Sequence, residues 1–142
     1  MDVRESITIK APPETLFLYF SDPENNSKWD PKLETVELLT DKPVGKGSRI
    51  RSVRKTPMGS SESVEEITEF EENRKFGWAS IEGRVLTTGT IQLVPTDDGT
   101  EFTIEISGSL PLMMKPFAFL IGRMMRKEIR GNLINLKGLA EA

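Results

Sequence analysis

The stretch from Pro111 to Ala142 constrains the fold more than any other part of the chain. Read at about 100° per residue, Met113, Met114, Phe117, Leu120, Ile121 and Met124 share one face. Lys115, Arg123, Arg126, Lys127, Arg130 and Lys137 share the opposite one. A helix this long cannot bury its stripe against itself, so it needs a partner surface. The run between Ser48 and Ser107 reads as strand after strand, so the expected partner is a curved sheet. A sheet gripping one long helix leaves room for a cavity between them, and that cavity is the expected functional part.

The rest of the chain is consistent with one domain spanning residues 1–142. That length supports a real hydrophobic core. There is no cysteine and no histidine, which excludes disulfides, thiol chemistry, histidine-based triads and histidine-ligated metals. Nothing in the residues points to a metal or an organic cofactor. A net charge of −3 argues against nucleic acid as the main partner. The opening MDVRESITIK lacks the basic start and apolar block of a signal peptide. The apolar run LMMKPFAFLIGRMM is broken by Lys115, Pro116 and Arg123 and falls short of the roughly 20 residues a span needs. A cytoplasmic location without stable membrane insertion is therefore expected.

Residues 3–10 alternate and predict a strand with Val3, Ile7 and Ile9 on one side. Pro13 can open a short helix carrying Leu16, Phe17 and Phe20. Asp22-Pro23 then reads as a cap and first-turn proline of a second short helix, ending near Trp29-Asp30-Pro31. A strand from Leu33 to Thr40 follows, and then five more. Strands in series with helices at the ends make an α+β arrangement.

Three turns predict a register. A turn centred on Met58-Gly59 pairs Thr56 with Ser61, which sets Arg51 opposite Glu66, Lys55 opposite Glu62, and Ile50 opposite Ile67. A two-residue hairpin at Asp98-Gly99 pairs Leu93 with Ile104 and Ile91 with Ile106. A turn at Glu82-Gly83 sets Trp78 opposite Thr87 and Phe76 opposite Gly89, with Gly89 across from Gly108, so that the sheet can bend around a bulky neighbour. All three turns imply one inner face.

The words Ile7-Thr8-Ile9-Lys10-Ala11-Pro12-Pro13-Glu14-Thr15-Leu16-Phe17, Ser21-Asp22-Pro23-Glu24-Asn25, Trp29-Asp30-Pro31, Asp98-Gly99-Thr100 and Leu133 to Leu139 carry a resemblance. In that order they resemble the START-related (SRPBCC) superfamily of polyketide cyclases, aromatase/cyclases and lipid-transfer proteins. The resemblance implies the helix-grip fold, a bent antiparallel sheet of about seven strands around a C-terminal helix, with two short helices after the first strand. It also implies a hydrophobic ligand. The matching words are structural ones, and fold alone does not give function.

The predicted inner face holds Ile7, Ile9, Ile50, Ile67, Phe76, Trp78, Ile91, Leu93, Phe102, Ile104 and Ile106. The candidate ligand-binding set drawn from it is Ile50, Ile67, Phe76, Trp78, Ile91, Leu93 and Ile104. Met113, Phe117, Leu120, Ile121 and Met124 join it from the helix, where soft methionines suit variable ligands. Ser52, Arg54, Ser63, Glu65 and Ser80 also point inward. Of these, Arg54 and Glu65 are candidates to orient a ligand's polar group, unless they simply reach water at the rim. Past Gly131 the helix stripe drifts toward Ile129, Leu133 and Leu136, which leaves Glu128 at its border as a weak candidate for a catalytic base; the plainer reading pairs it with a sheet arginine or leaves it solvated. Tyr19 reads as a packing or surface residue.

The leading expectation is a carrier or sensor of a hydrophobic small molecule such as a fatty acid, isoprenoid quinone or polyketide. A metal-free cyclase or dehydratase using the same pocket is the alternative, disfavoured by the lack of a clear catalytic pair. A third reading is an interaction module for protein or membrane surface through the basic helix face, with Phe119 as a contact; the plainer and preferred reading of that face is a solvated one balancing the acidic strand Glu62 to Glu72. Oligomeric state is not legible here.

Overall fold

A computed structural model of the chain describes residues 1–57 and 59–142; Met58, a centre of the first expected turn, lies outside the described residues. Strand β1 (Asp2–Ile9) leads into helix α1 (Pro13–Ser21) and a 3-10 helix, Pro23–Lys28. Strands β2 (Leu33–Leu38), β3 (Arg49–Thr56), β4 (Gly59–Glu71), β5 (Lys75–Glu82), β6 (Leu86–Thr96) and β7 (Gly99–Ser109) follow. A second 3-10 helix, Leu112–Phe117, then opens into α2 (Ala118–Ala140). The strands form one antiparallel sheet in the order β1-β7-β6-β5-β4-β3-β2.

The short helices start where prolines and caps direct them. Pro13 occupies the first turn of α1, and the Asp22 side chain accepts a hydrogen bond from the Glu24 backbone N–H. Leu16, Phe17 and Phe20 fall on one face of α1 and are buried. Phe20 meets Phe76 and Phe102 edge to face at 5.7 Å each, and Phe17 meets Phe70 at 5.3 Å. This aromatic plug closes one end of the bent sheet, and each such ring pair adds about 0.5–1.5 kcal/mol beyond its burial.

The hairpin registers differ from expectation by two residues in every case. Thr56 pairs with Gly59, so Arg51 faces Val64 and Ile50 faces Glu65. Leu93 faces Phe102 and Ile91 faces Ile104. Trp78 faces Gly89, Phe76 faces Ile91, and Gly89 faces Ile106 rather than Gly108. The cause is the same at Gly59 and Gly99, which take positive φ as the first residue of the returning strand instead of sitting inside the turn. At Gly99 a Cβ would also lie 2.1 Å from the Ile9 carbonyl oxygen. A two-residue slip preserves side-chain parity, so the inner face keeps the residues assigned to it. Outside, Arg49 pairs with Glu66 directly opposite at 3.4 Å, and Arg51 reaches Glu62 on the diagonal at 2.9 Å.

The core is Val3, Ile9, Ile50, Ile67, Phe76, Ile91, Leu93, Phe102 and Ile104 from the sheet, with the α1 aromatics and Ile129, Leu133 and Leu136 from α2. Fully burying one such side chain contributes roughly 1.5–3 kcal/mol. Helix α2 is tied to β1 by Arg126 and Arg130, which both reach Glu5, at 3.4 and 3.1 Å. Lys137 adds a bond to the Thr8 carbonyl oxygen at 3.0 Å. Three cations assigned to a solvated face therefore fasten the helix to the sheet edge.

Candidate ligand cleft

Helix α2 is buried only in its C-terminal half. Its inward stripe runs through Ile121, Met125, Ile129, Leu133 and Leu136, which are half-buried at the start and buried at the end. This stripe lies about 100° around the helix from the expected one. The phase is set where the core is, by Ile129, Leu133 and Leu136. Upstream, Leu112–Phe117 is a 3-10 segment containing Pro116, so its residues do not share the α-helical phase.

The consequence falls on the helix residues of the candidate set. Ile121 is half-buried, whereas Met113, Phe117, Leu120 and Met124 are exposed, at 89, 57, 56 and 57%. They do not pack against the sheet as expected. At 100° per residue, Met124 shares a flank with Glu128 and Asn135. That flank faces β3 and the end of the first 3-10 helix, because Glu128 binds Arg54 and Asn135 donates to the Trp29 carbonyl oxygen. Phe117, Leu120 and Met124 stay exposed at the start of the helix.

Along its inner face the sheet turns from apolar to polar. Ile50, Ile67, Phe76, Ile91, Leu93 and Ile104 are at most 8% exposed and pack in the core beside α1 and the C-terminal half of α2. Phe76 lies in the aromatic plug. Trp78 marks the boundary: half-buried, it packs 6.4 Å from the Phe76 ring and covers Gly89 so closely that a Cβ there would sit 2.2 Å from its Cζ2. The bulky neighbour expected at Gly89 is this indole.

Beyond Trp78 lie Ser52, Ser63, Glu65, Ser80 and Thr87, all half-buried. Glu65 accepts hydrogen bonds from Ser63 Oγ at 2.7 Å and Ser52 Oγ at 3.3 Å, one on each carboxylate oxygen. Each oxygen keeps a free lone pair. The Ser80 and Thr87 hydroxyls bond each other at 3.1 Å. With Gly108 they border a shallow depression of about 380 Å³ at the end of the sheet.

Arg54 is the sheet arginine with which Glu128 pairs. Its guanidinium holds Asp30 through two bonds, at 3.2 and 2.5 Å, and Glu128 through one at 2.9 Å. Lys32 approaches Glu128 from the other side at 3.4 Å. Burial pulls the Arg54 pKa down, but the hydrogen bond and charge of Asp30, then the charges of Glu128 and Glu65, outweigh it and raise it above its ordinary value. Arg54 thus joins β3, the loop after the first 3-10 helix, and α2. Sequence reasoning missed Asp30 as a partner and Phe17, Phe20 and Phe70 as the plug. The position of Asp30 between Trp29 and Pro31, in a helix-terminating word, was the available signal.

A family model described as polyketide cyclase / dehydrase and lipid transport matches residues 1–141. Comparison with curated proteins finds no match. Among solved structures, a protein from Thermus thermophilus superposes with a TM-score of 0.83 at 22% identity, covering 97% of this chain and 95% of its own. A START superfamily protein from Mycobacterium smegmatis gives 0.77 at 19% identity over 99% and 97%. A conserved protein from Geobacillus kaustophilus gives 0.83 at 16% over 99% and 95%. These three are similar to the chain in fold.

Proposed function

From the premise that the chain belongs to the polyketide cyclase/dehydrase and lipid transport family, we propose that it binds a hydrophobic small molecule in the cleft between the sheet and the N-terminal half of α2. The observation that supports this reading is that Phe117, Leu120 and Met124 stay exposed at the start of the helix, while the inner face of the sheet turns polar beyond a half-buried Trp78. Apolar surface left open is stabilised when a ligand removes it from water. Half-buried Met114 and Met125 border the same space and can adapt to varied chains.

Glu65 orients the ligand. Its two oxygens already accept Ser52 and Ser63 and retain acceptor capacity, so the matching ligand end is a hydrogen-bond donor such as a hydroxyl or phenol. A ligand carboxylate is disfavoured, because Arg54 is engaged by Asp30 and Glu128. The same engagement favours binding over cyclisation: the Glu128 carboxylate is occupied by Arg54 and Lys32.

Native mass spectrometry of the purified chain with hydroxylated isoprenoid or polyketide-like probes, read beside Trp78 emission, tests the proposal. One-to-one adducts that shift Trp78 emission are expected, with acidic analogues binding more weakly. Absence of adducts together with unchanged emission across the probe series would remove the binding reading.

A further inference from the structure

The residues around the start of α2 form a surface that the cleft does not use. Leu112, Met113 and Phe119 are 79, 89 and 75% exposed, in the same segment as exposed Phe117, Leu120 and Met124. Contiguous exposed apolar side chains at one site mark an interaction surface. The charge around them is equally one-sided. Residues 106–127 hold four of the chain's 19 Lys and Arg and none of its 22 Asp and Glu. The remainder of the chain therefore carries −7 against −3 for the whole. Arg126 is engaged by Glu5, but among the described residues Lys115, Arg123 and Lys127 enter no ion pair. Arg123 instead lies over the Phe119 ring, 5.9 Å from its centroid.

We propose that this segment is a docking surface for an anionic lipid bilayer, on which Leu112, Met113 and Phe119 enter the headgroup boundary while Lys115, Arg123 and Lys127 meet lipid charge. Interleaved large apolar and cationic side chains on one helix segment suit the plane of a bilayer interface. Juxtaposed Lys and Arg strengthen attachment to anionic leaflets. Attachment is to the surface, since no helix of the described residues is long and apolar enough to cross a membrane. A second copy of the chain fits less well, because a two-fold pairing would bring two cationic patches together without acids between them. The proposal deepens the cleft reading: docking there opens the lip of Phe117, Leu120 and Met124 directly onto the bilayer, the reservoir of hydrophobic ligands.

Vesicle co-flotation tests it, using phosphatidylcholine alone and phosphatidylcholine with about 30 mol % phosphatidylglycerol. Binding to the anionic vesicles only is expected, and it falls steeply between about 0.1 M and about 0.5 M salt. Phe119→Ser and the Arg123→Glu/Lys127→Glu pair each lower binding about tenfold or more while circular dichroism and ligand-induced Trp78 emission stay unchanged. No binding to anionic vesicles overturns the proposal. So does concentration-dependent dimerisation abolished by the same variants, which assigns the surface to a second copy. Loss of vesicle binding with ligand binding intact leaves the cleft reading standing; loss of ligand binding with vesicle binding intact does the reverse.

Discussion

Arg54 on β3 and Glu128 on α2 meet at 2.9 Å although 74 residues separate them, and the same guanidinium grips Asp30 with both its terminal nitrogens. The triad ties α2 to β3 and to the loop that carries Asp30. The Asp30 side chain is only 10% exposed, whereas Arg54 remains 39% exposed. Solvent screens the pair, so its value is well below that of a fully buried bridge. Arg54→Met should destabilise the fold by about 1–2 kcal/mol, mostly because Asp30 loses its partner. Urea unfolding checks this, and Asp30→Asn should cost more than Glu128→Gln. Equal costs would mean that the helix, rather than the loop, is the main beneficiary of the network.

Trp78 and Gly89 give a second test. Because a Cβ at position 89 would overlap the indole, Gly89→Ala must displace a rigid ring in the middle of the sheet. Overpacking of this kind costs about 1–3 kcal/mol. The displaced indole should also change its emission. Adding Trp78→Leu should restore most of the lost stability, and a double-mutant cycle that gives purely additive costs would contradict the contact.

The C-terminus carries a pH-dependent tie. Glu141 accepts the Lys10 backbone N–H at 2.7 Å and Lys137 Nζ at 2.6 Å, and these bonds hold its carboxyl below its ordinary value of 4.5. A depressed folded-state pKa contributes stability that is present above the unfolded value and lost as pH falls through the folded one. The stability gap between parent and Glu141→Gln should therefore be constant at neutral pH and shrink as the solution is taken below about 4.5. The carbon resonance of the Glu141 carboxyl, followed by NMR, should titrate below that of an exposed glutamate.

The faces of the sheet were legible because period-two alternation survives any even slip. Ile50, Ile67 and Phe76 point inward in the expected register and in the observed one. The partners were not legible, because the sequence marks a turn glycine without saying whether it sits within the turn or just after it, as Gly99 does. The phase of α2 was misread for a related reason. Apolar residues occur on two flanks of its N-terminal half, and only tertiary packing of Ile129, Leu133 and Leu136 selects one. Asp30 escaped notice because an irregular segment has no periodicity from which a side-chain direction can be read. The family words near both termini were readable because prolines, caps and Trp29 act locally.

The last prediction separates core from cleft on a single helix. Leu136 is fully buried, so Leu136→Ala removes packed methyl groups and should cost about 2–5 kcal/mol. Phe117, Leu120 and Met124 are more than half exposed, and shortening any of them should change stability by no more than about 0.5 kcal/mol. Ligand affinity should follow the opposite order. A Phe117→Ala/Leu120→Ala chain loses most of the apolar lip and should bind a hydroxylated isoprenoid probe about tenfold or more weakly, since each buried methylene is worth roughly 0.8 kcal/mol. Leu136→Ala, once folded, should bind nearly as the parent does. Thermal melts and probe titrations on the same preparations decide the matter. If the lip variants lose stability like core variants, the lip is packed in solution and the cleft is closed. If they keep both stability and affinity, the ligand sits elsewhere on the sheet, and Glu65 and Trp78 become the residues to substitute next.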